Sequence, residues 1–435
     1  MSKSSDLYDR GLKVMPGGCS RNTILRIPHP LYVEKGAGCY VTDIEGIERV
    51  DFANNMCSLI HGHAHPEVTE AVAAQLSKGT AFTIGTEVEV EFAEHIVSRS
   101  ASFEKMRFVN SGTEAVMSCI KAARAFTGRS KIAKAEGAYH GLYDYAEVSQ
   151  TSKPENWGDE NNPSSVPVAY GTPKAALDDV IIIPFNDPDR ALKILEENAD
   201  DIACVLLDVM PHRIGLIPAK DDFARAMFKW TRQNDSLLVF DEVITFRSNY
   251  GGAQEWYEGI APDLTAMGKM IGGGFPVGAL AGRSDVMDVM DPHASKVLFP
   301  HSGTFSANPV TMTAGLKSMQ MFDRDAVLKI NKLADYARTS LIEAINLADV
   351  PASVSGEGSM FRIHMKENVP VSYRDGYVSP KESELIKTLL GHLFDDGIMM
   401  INTCTGVLST VMAEKEIDRL SEAVLSGLKK MKNQF

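Results

Sequence analysis

Three short, uninterrupted apolar runs constrain this chain more than any other feature: VIIIPF from Val180, IACVLLDV from Ile202 and LLVF from Leu237, separated by stretches with helical spacing. A strand that is apolar at every position is buried on both faces. Such strands alternating with helices argue for a largely parallel sheet, an α/β architecture. The third run ends in Asp241 and Glu242, and in open α/β sheets ligands bind at the carboxyl ends of the strands. Downstream, Lys269 lies between Ala266-Met267-Gly268 and Met270-Ile271 and is followed by Gly272-Gly273-Gly274. Apolar surroundings disfavour the ammonium form of a lysine, and the free amine condenses with aldehydes to Schiff bases. Taken alone, Asp241 reads as the end of a strand and Lys269 as a surface lysine beside a glycine turn. As an ordered set they read as a catalytic centre.

The chain has 435 residues, long enough for two or three domains. Its 44% hydrophobic and 23% charged residues are ordinary for a globular protein, and its net charge of −13 is spread without long single-sign blocks. That balance argues against nucleic acid, whose phosphates need a basic face. No apolar run reaches membrane-spanning length, and MSKSSDLYDRGLKVMPGG lacks the apolar core of a signal peptide, so the expectation is a cytoplasmic protein with no membrane partner. The six cysteines form no C-x-x-C pair and read as buried apolar residues. His63 and His65, two apart, suggest no metal site because no third ligand is near.

Several further stretches carry chemistry. In FVNSGTEAVMSCIKAARAFTG a strand ends at Val109, Asn110 to Thr113 make a turn, and Glu114 to Phe126 are helical. Small residues at a helix N-terminus expose backbone N–H groups to a phosphate, and Ser111 with Glu114 spells a capping box as well. KIAKAEGAYHGLYD places a short strand before Tyr139 and His140, and His140 reads as a packed loop histidine rather than a partner of the site. Residues 150–178 are rich in Pro, Ser, Asn and Asp and read as a long surface loop. Near the N-terminus, SRNTILRIPHP offers Arg21 and Arg26, and arginine suits carboxylate binding because its planar fork pairs with two oxygens.

The pairing of DEV at Asp241 with GKMIGGGFPVGA at Gly268 resembles class III aminotransferases. These are pyridoxal 5′-phosphate (PLP) enzymes of fold type I that include glutamate-1-semialdehyde aminomutase and ω- and β-amino-acid transaminases. The resemblance covers nearly the whole chain. It implies a large, mostly parallel, seven-stranded-type sheet domain over residues 61–325 and an N-terminal arm, residues 1–60, that joins a small α+β domain of residues 326–435. By the same resemblance Lys269 carries the Schiff base and Asp241 keeps the pyridinium nitrogen protonated. Ser111, Gly112 and Thr113 hold the phosphate, Tyr139 covers one face of the ring, and Arg21 binds the substrate carboxylate. Thr304, in HSGTFSANP, reaches the phosphate of the neighbouring subunit's cofactor, which makes the expected assembly a homodimer with a composite site.

The chain departs from its relatives at LDVMPHRIGLIP, where the family spelling is close to VEPxxGNxG. Asp208 stands at the glutamate position and His212-Arg213 at the Gly-Asn pair. An arginine beside the reacting centre is costly to desolvate without an anion, so Arg213, alone or with Arg21, is a candidate for binding an anionic group on the substrate, and His212 beside it is a further substrate-site candidate; a solvent-facing arginine, or one paired with Asp208, is the plain alternative. The function expected is an aminotransferase acting on an anionic amino substrate of β- or ω-amino-acid type with a keto acid. An aminomutase of glutamate-1-semialdehyde type, or an ammonia-lyase acting on an amino acid or aminophosphonate, stands as the alternative. A regulator or pseudoenzyme of this fold is disfavoured by the retained lysine and by the lack of a fused DNA-binding segment.

Overall fold

The computed structural model describes residues 2–435. Its centre is a seven-stranded sheet whose strands, in chain order, are β1 (Lys105–Val109), β2 (Lys131–Ala135), β3 (Val180–Ile183), β4 (Ile202–Leu207), β5 (Leu237–Asp241), β6 (Leu264–Gly268) and β7 (Gly278–Gly282). Across the sheet they lie in the order β1-β7-β6-β5-β4-β2-β3. Only β7 runs antiparallel to its neighbours. The apolar runs at 180, 202 and 237 are thus three of the parallel strands, and β4, β5 and β6 are buried at every position.

Both faces of the sheet are covered, as strands with no polar side require. On one side lies the helix Gly112–Thr127, which buries Ala115, Val116, Cys119, Ile120 and Ala123 against Leu206, Val239 and Leu280. On the other, the helix Asp221–Gln233 buries Phe223, Met227 and Trp230, spaced at three and four residues, against Val205, Leu238 and Phe240. Each such large side chain contributes about 1.5–3 kcal/mol by leaving water.

Around this layer sit two small sheets. Val33–Ala37, Tyr40–Asp43 and Glu48–Asp51 form an antiparallel meander, and Ile398–Met399 joins its last strand in parallel, tying the two ends of the chain together. Ser353–Ser355, Met360–His364 and Thr405–Val407 form the other, flanked by the helices Arg324–Ala348, Pro380–Asp395 and Glu414–Met431. Alternation along Met360–His364 decides its neighbours. Phe361 and Ile363 enter the main core, whereas Met360 packs on Met210 and Leu216 and Arg362 Nη1 donates to the His212 carbonyl at 2.8 Å. The loop that departs from the family spelling is therefore clamped by this small sheet.

Residues 150–178 are largely irregular, with a two-residue ladder (Gly158–Asp159 with Asn162–Pro163) and one helical turn, Lys174–Asp178. No helix among the described residues is long and apolar enough to cross a membrane. No cluster of three or more metal-capable side chains occurs among them either; His63 instead pairs with Asp51 at 2.8 Å.

Candidate active site

The carboxyl ends of β1, β4, β5 and β6 open on one edge of the sheet, and there a cavity of about 390 Å³ is formed. Asn110 to Thr113 follow β1 and form one corner of it. Ser111 caps the helix, its Oγ accepting the Glu114 N–H at 3.1 Å. The Glu114 carboxylate bypasses Ser111 and takes the N–H of Asn110 at 2.6 Å, so only half of the expected capping box is made. The N–H groups of Gly112 and Thr113 belong to the first turn and have no intrahelical acceptor, and both residues face the cavity. This corner is built by glycine: a Cβ on Gly278 would lie 2.0 Å from the Ser111 carbonyl oxygen, and one on Gly268 within 3.4 Å of Gly112.

At the next strands stand the acid and the amine. Asp241 ends β5, is 5% exposed, and accepts the Val243 N–H at 3.0 Å on Oδ1. Its Oδ2 takes a 2.7 Å bond from His140 Nδ1. Burial holds the His140 imidazole below its ordinary range, with the Asp241 bond pulling the other way. A neutral ring donating from Nδ1 results, and its buried Nε2 has no protein partner. His140 is thus bonded to the site's acid, a correction to its reading as a merely packed histidine. Lys269 opens the turn after β6 with φ +48°, a left-handed conformation that costs an ordinary residue about 1–2 kcal/mol. Such strain persists only where surrounding structure enforces it. Tyr139, Lys269 and Asp241 line the same cavity.

Arg21 also lines it, its Nη1 donating to Asn55 Oδ1 at 2.9 Å. Asn55 belongs to a left-handed turn, Asn54 to Cys57, with φ of 44°, 46°, 57° and 73°. The turn is pinned by Asp51, which accepts the N–H groups of Ala53 and Asn54, and by the fully buried Arg247, which donates to the Cys57 carbonyl at 3.1 Å. Sequence reasoning passed over this turn, although Asn is, after Gly, among the residues that tolerate it best. His212 packs edge-on to Tyr139, centroids 5.5 Å apart, and burial together with the charges of Lys269, Arg213 and Arg362 pushes its imidazole well down. Arg213 is exposed, its guanidinium 5.2 Å from the centre of the Tyr139 ring; Asp208 turns into the cavity instead. Arg26 lies away from the cavity, stacked on Phe394 at 3.5 Å. Thr304 is exposed and is not part of this cavity wall.

A phosphorylated aromatic aldehyde fits these residues: free helix N–H groups and a glycine-walled corner for phosphate, a buried carboxylate for a ring nitrogen, a lysine for the aldehyde. Sheet order and cavity together place the chain among the PLP-dependent enzymes of fold type I. Comparison with known proteins narrows that class. Residues 25–426 match the family "Aminotransferase class-III", and the chain belongs to that family; it is an enzyme whose cofactor is PLP. Among curated relatives, the glutamate-1-semialdehyde 2,1-aminomutase of Methanothermobacter thermautotrophicus is 36% identical over 435 residues, covering 98% of this chain and all of the relative. Among solved structures, an ω-transaminase from Sphaerobacter thermophilus is 43% identical with a TM-score of 0.96, covering 99% of this chain and 98% of that one. A β-phenylalanine aminotransferase from Variovorax paradoxus is 31% identical with a TM-score of 0.88, covering 99% and 94%.

Proposed function

We propose that the chain is an aminotransferase for an amino substrate carrying an anionic group, of β- or ω-amino-acid type, with a keto acid as its partner. Bound PLP withdraws electrons from the substrate carbon that carries the nitrogen. Asp241, oriented by His140, holds the ring nitrogen protonated; Gly112 and Thr113 N–H groups with Ser111 hold the phosphate; Tyr139 covers a ring face. Lys269 Nζ anchors the cofactor and moves the proton at the reacting carbon. The enzyme works as a homodimer in which Thr304, exposed on one subunit, serves the phosphate site of the other.

The observation that carries the substrate class is Arg21. Among the described residues it is the one arginine lining the cavity, and its polar partner there is the neutral amide of Asn55 rather than a carboxylate. A guanidinium without an acid, above a site of this chemistry, suits a substrate carboxylate. Arg213, held over Tyr139, supplies a second cation at the rim. The test is a panel of anionic and neutral amines with keto-acid acceptors, run on wild type, Arg21→Ala and Arg213→Ala. Anionic amines should lose about tenfold or more in kcat/KM in Arg21→Ala. Equal turnover of both classes, unchanged by Arg21→Ala, sinks the reading.

A second reading, an aminomutase, is favoured by the curated relative named above. It moves an amino group within one molecule and needs no keto acceptor, so isomerisation of glutamate-1-semialdehyde without acceptor would establish it. Ammonia released without acceptor would point to a lyase.

A further inference from the structure

Two carboxylates face this cavity from adjacent strands. β4 and β5 pair in parallel with Leu207 beside Phe240, so the next residue on each, Asp208 and Asp241, are neighbours about 5 Å apart across the ladder. Both line the cavity, and they are 3% and 5% exposed. Asp241 has two donors, His140 Nδ1 and the Val243 N–H. Asp208 has one, the Met210 N–H at 2.9 Å on Oδ1. Of the other charged groups nearby, Glu242 is fully buried and occupied by the N–H groups of Ala253 and Gln254 and by the Thr245 hydroxyl. Lys269 lines the same cavity, and burial with nearby cations pushes the His212 imidazole on Asp208's own loop well down. Buried carboxylates on adjacent strands at the same register disfavour each other's ionisation. Burial first, and then the neighbouring Asp241, pushes the Asp208 carboxyl well above its ordinary range.

Strand order fixes what lies beside Asp208. Across the sheet the helix N-terminus follows β1, Lys269 follows β6, Asp241 ends β5 and Asp208 follows β4. On the PLP ring the phosphate arm and the phenolic oxygen leave from opposite sides of the line that joins the ring nitrogen to the aldehyde carbon. With phosphate at the β1 corner, nitrogen at Asp241 and aldehyde at Lys269, the phenolic edge falls toward β4. Val243 and Ile244, which also line the cavity, offer no side-chain donor there.

We propose that Asp208 is a neutral carboxylic acid that donates a hydrogen bond to the phenolic oxygen of the bound cofactor. It is a positioning residue, and the inference rests on the roles proposed above for Lys269, Asp241 and the helix N-terminus. The apoprotein is titrated with PLP and with 3-deoxypyridoxal 5′-phosphate, which lacks that oxygen, and binding is followed by absorbance. Wild type should prefer PLP by about tenfold or more, the worth of a hydrogen bond to a charged oxygen. The preference should shrink to within about threefold in Asp208→Ala and return in Asp208→Asn, whose amide also donates.

A second readout needs no cofactor. A carboxyl raised in the folded state binds a proton that the unfolded chain releases, so its contribution to stability falls as pH rises above the unfolded carboxyl range of about 4. Asp208→Asn apoprotein should therefore melt above wild type at pH 8 and level with it at pH 4. An unchanged PLP preference in Asp208→Ala, or parallel melting curves of wild type and Asp208→Asn, overturns the proposal. Wild type that binds both compounds equally overturns it too, whereas wild type that binds neither removes the site assignment beneath it.

Discussion

Replacing His140 with phenylalanine isolates one bond at the heart of the site. The ring is 1% exposed and its Nε2 already lacks a partner, so a phenyl group fills the same space and leaves no new polar atom stranded on that side. What disappears is the 2.7 Å bond to Asp241 Oδ2. Hydrogen bonds to charged groups contribute about 1.5–3 kcal/mol. Asp241 keeps only the Val243 N–H, so its carboxylate loses one of its two donors and is less well oriented. Such a carboxylate holds the protonated ring nitrogen less well, and the cofactor dissociation constant should rise roughly tenfold to a hundredfold. The assay is absorbance titration of apoprotein with PLP, run beside thermal melting of the same apoprotein. Lower melting with unchanged PLP affinity would show that His140 only packs the loop, and the link from His140 through Asp241 to the cofactor would be refuted.

The other predictions are quickly stated. Lys269→Ala should fold, bind PLP without a covalent link that borohydride can trap, and lose nearly all turnover; wild-type-like turnover would remove Lys269 from its role. Asp241→Asn should retain less than about a tenth of the wild-type rate, a loss above about 1.4 kcal/mol, and a milder loss would mean another acid serves the ring. Sedimentation should find a dimer, and Thr304→Ala should weaken PLP binding; an active monomer contradicts the composite site. Finally, burial first of all lowers His61 to about 4 and His364 to about 3. Their folded values lie below the unfolded value of about 6.5, so stability is full above that pH and drains as pH falls toward 4, by roughly 3 kcal/mol for each at pH 4. Urea midpoints at pH 7 and pH 4 measure this, and His364→Gln should lessen the difference; equal midpoints in wild type would contradict it.

The central strands were legible because a strand buried on both faces has no polar position to blur its pattern; Ile202 to Leu207 is buried throughout. The helix Gly112–Thr127 was legible for a related reason, since its Ser111 cap and three-to-four spacing state both where it starts and which side it hides. Tertiary partnerships were not. His140 lies 101 residues from Asp241, and no local pattern distinguishes a histidine that packs from one that bonds a distant acid. The register that sets Asp208 beside Asp241 depends on which strands become neighbours, a property of the sheet and not of either segment. The left-handed turn at Asn54 to Cys57 was hidden because it is enforced from outside, by Asp51 and Arg247.

Gly278 and Gly268 hold the corner beside Ser111 and Gly112 at main-chain contact distance. The spacing of the two turns is therefore set in large part by main chain close to main chain, with Val109 and Val243 packed beside it. On the proposed assignment, substitutions at Arg21 or Asn55 would re-cut the cavity lining without touching that frame. Relatives that share such a frame can differ in what they act on: the chain is 36% identical to an aminomutase and 43% identical to an ω-transaminase.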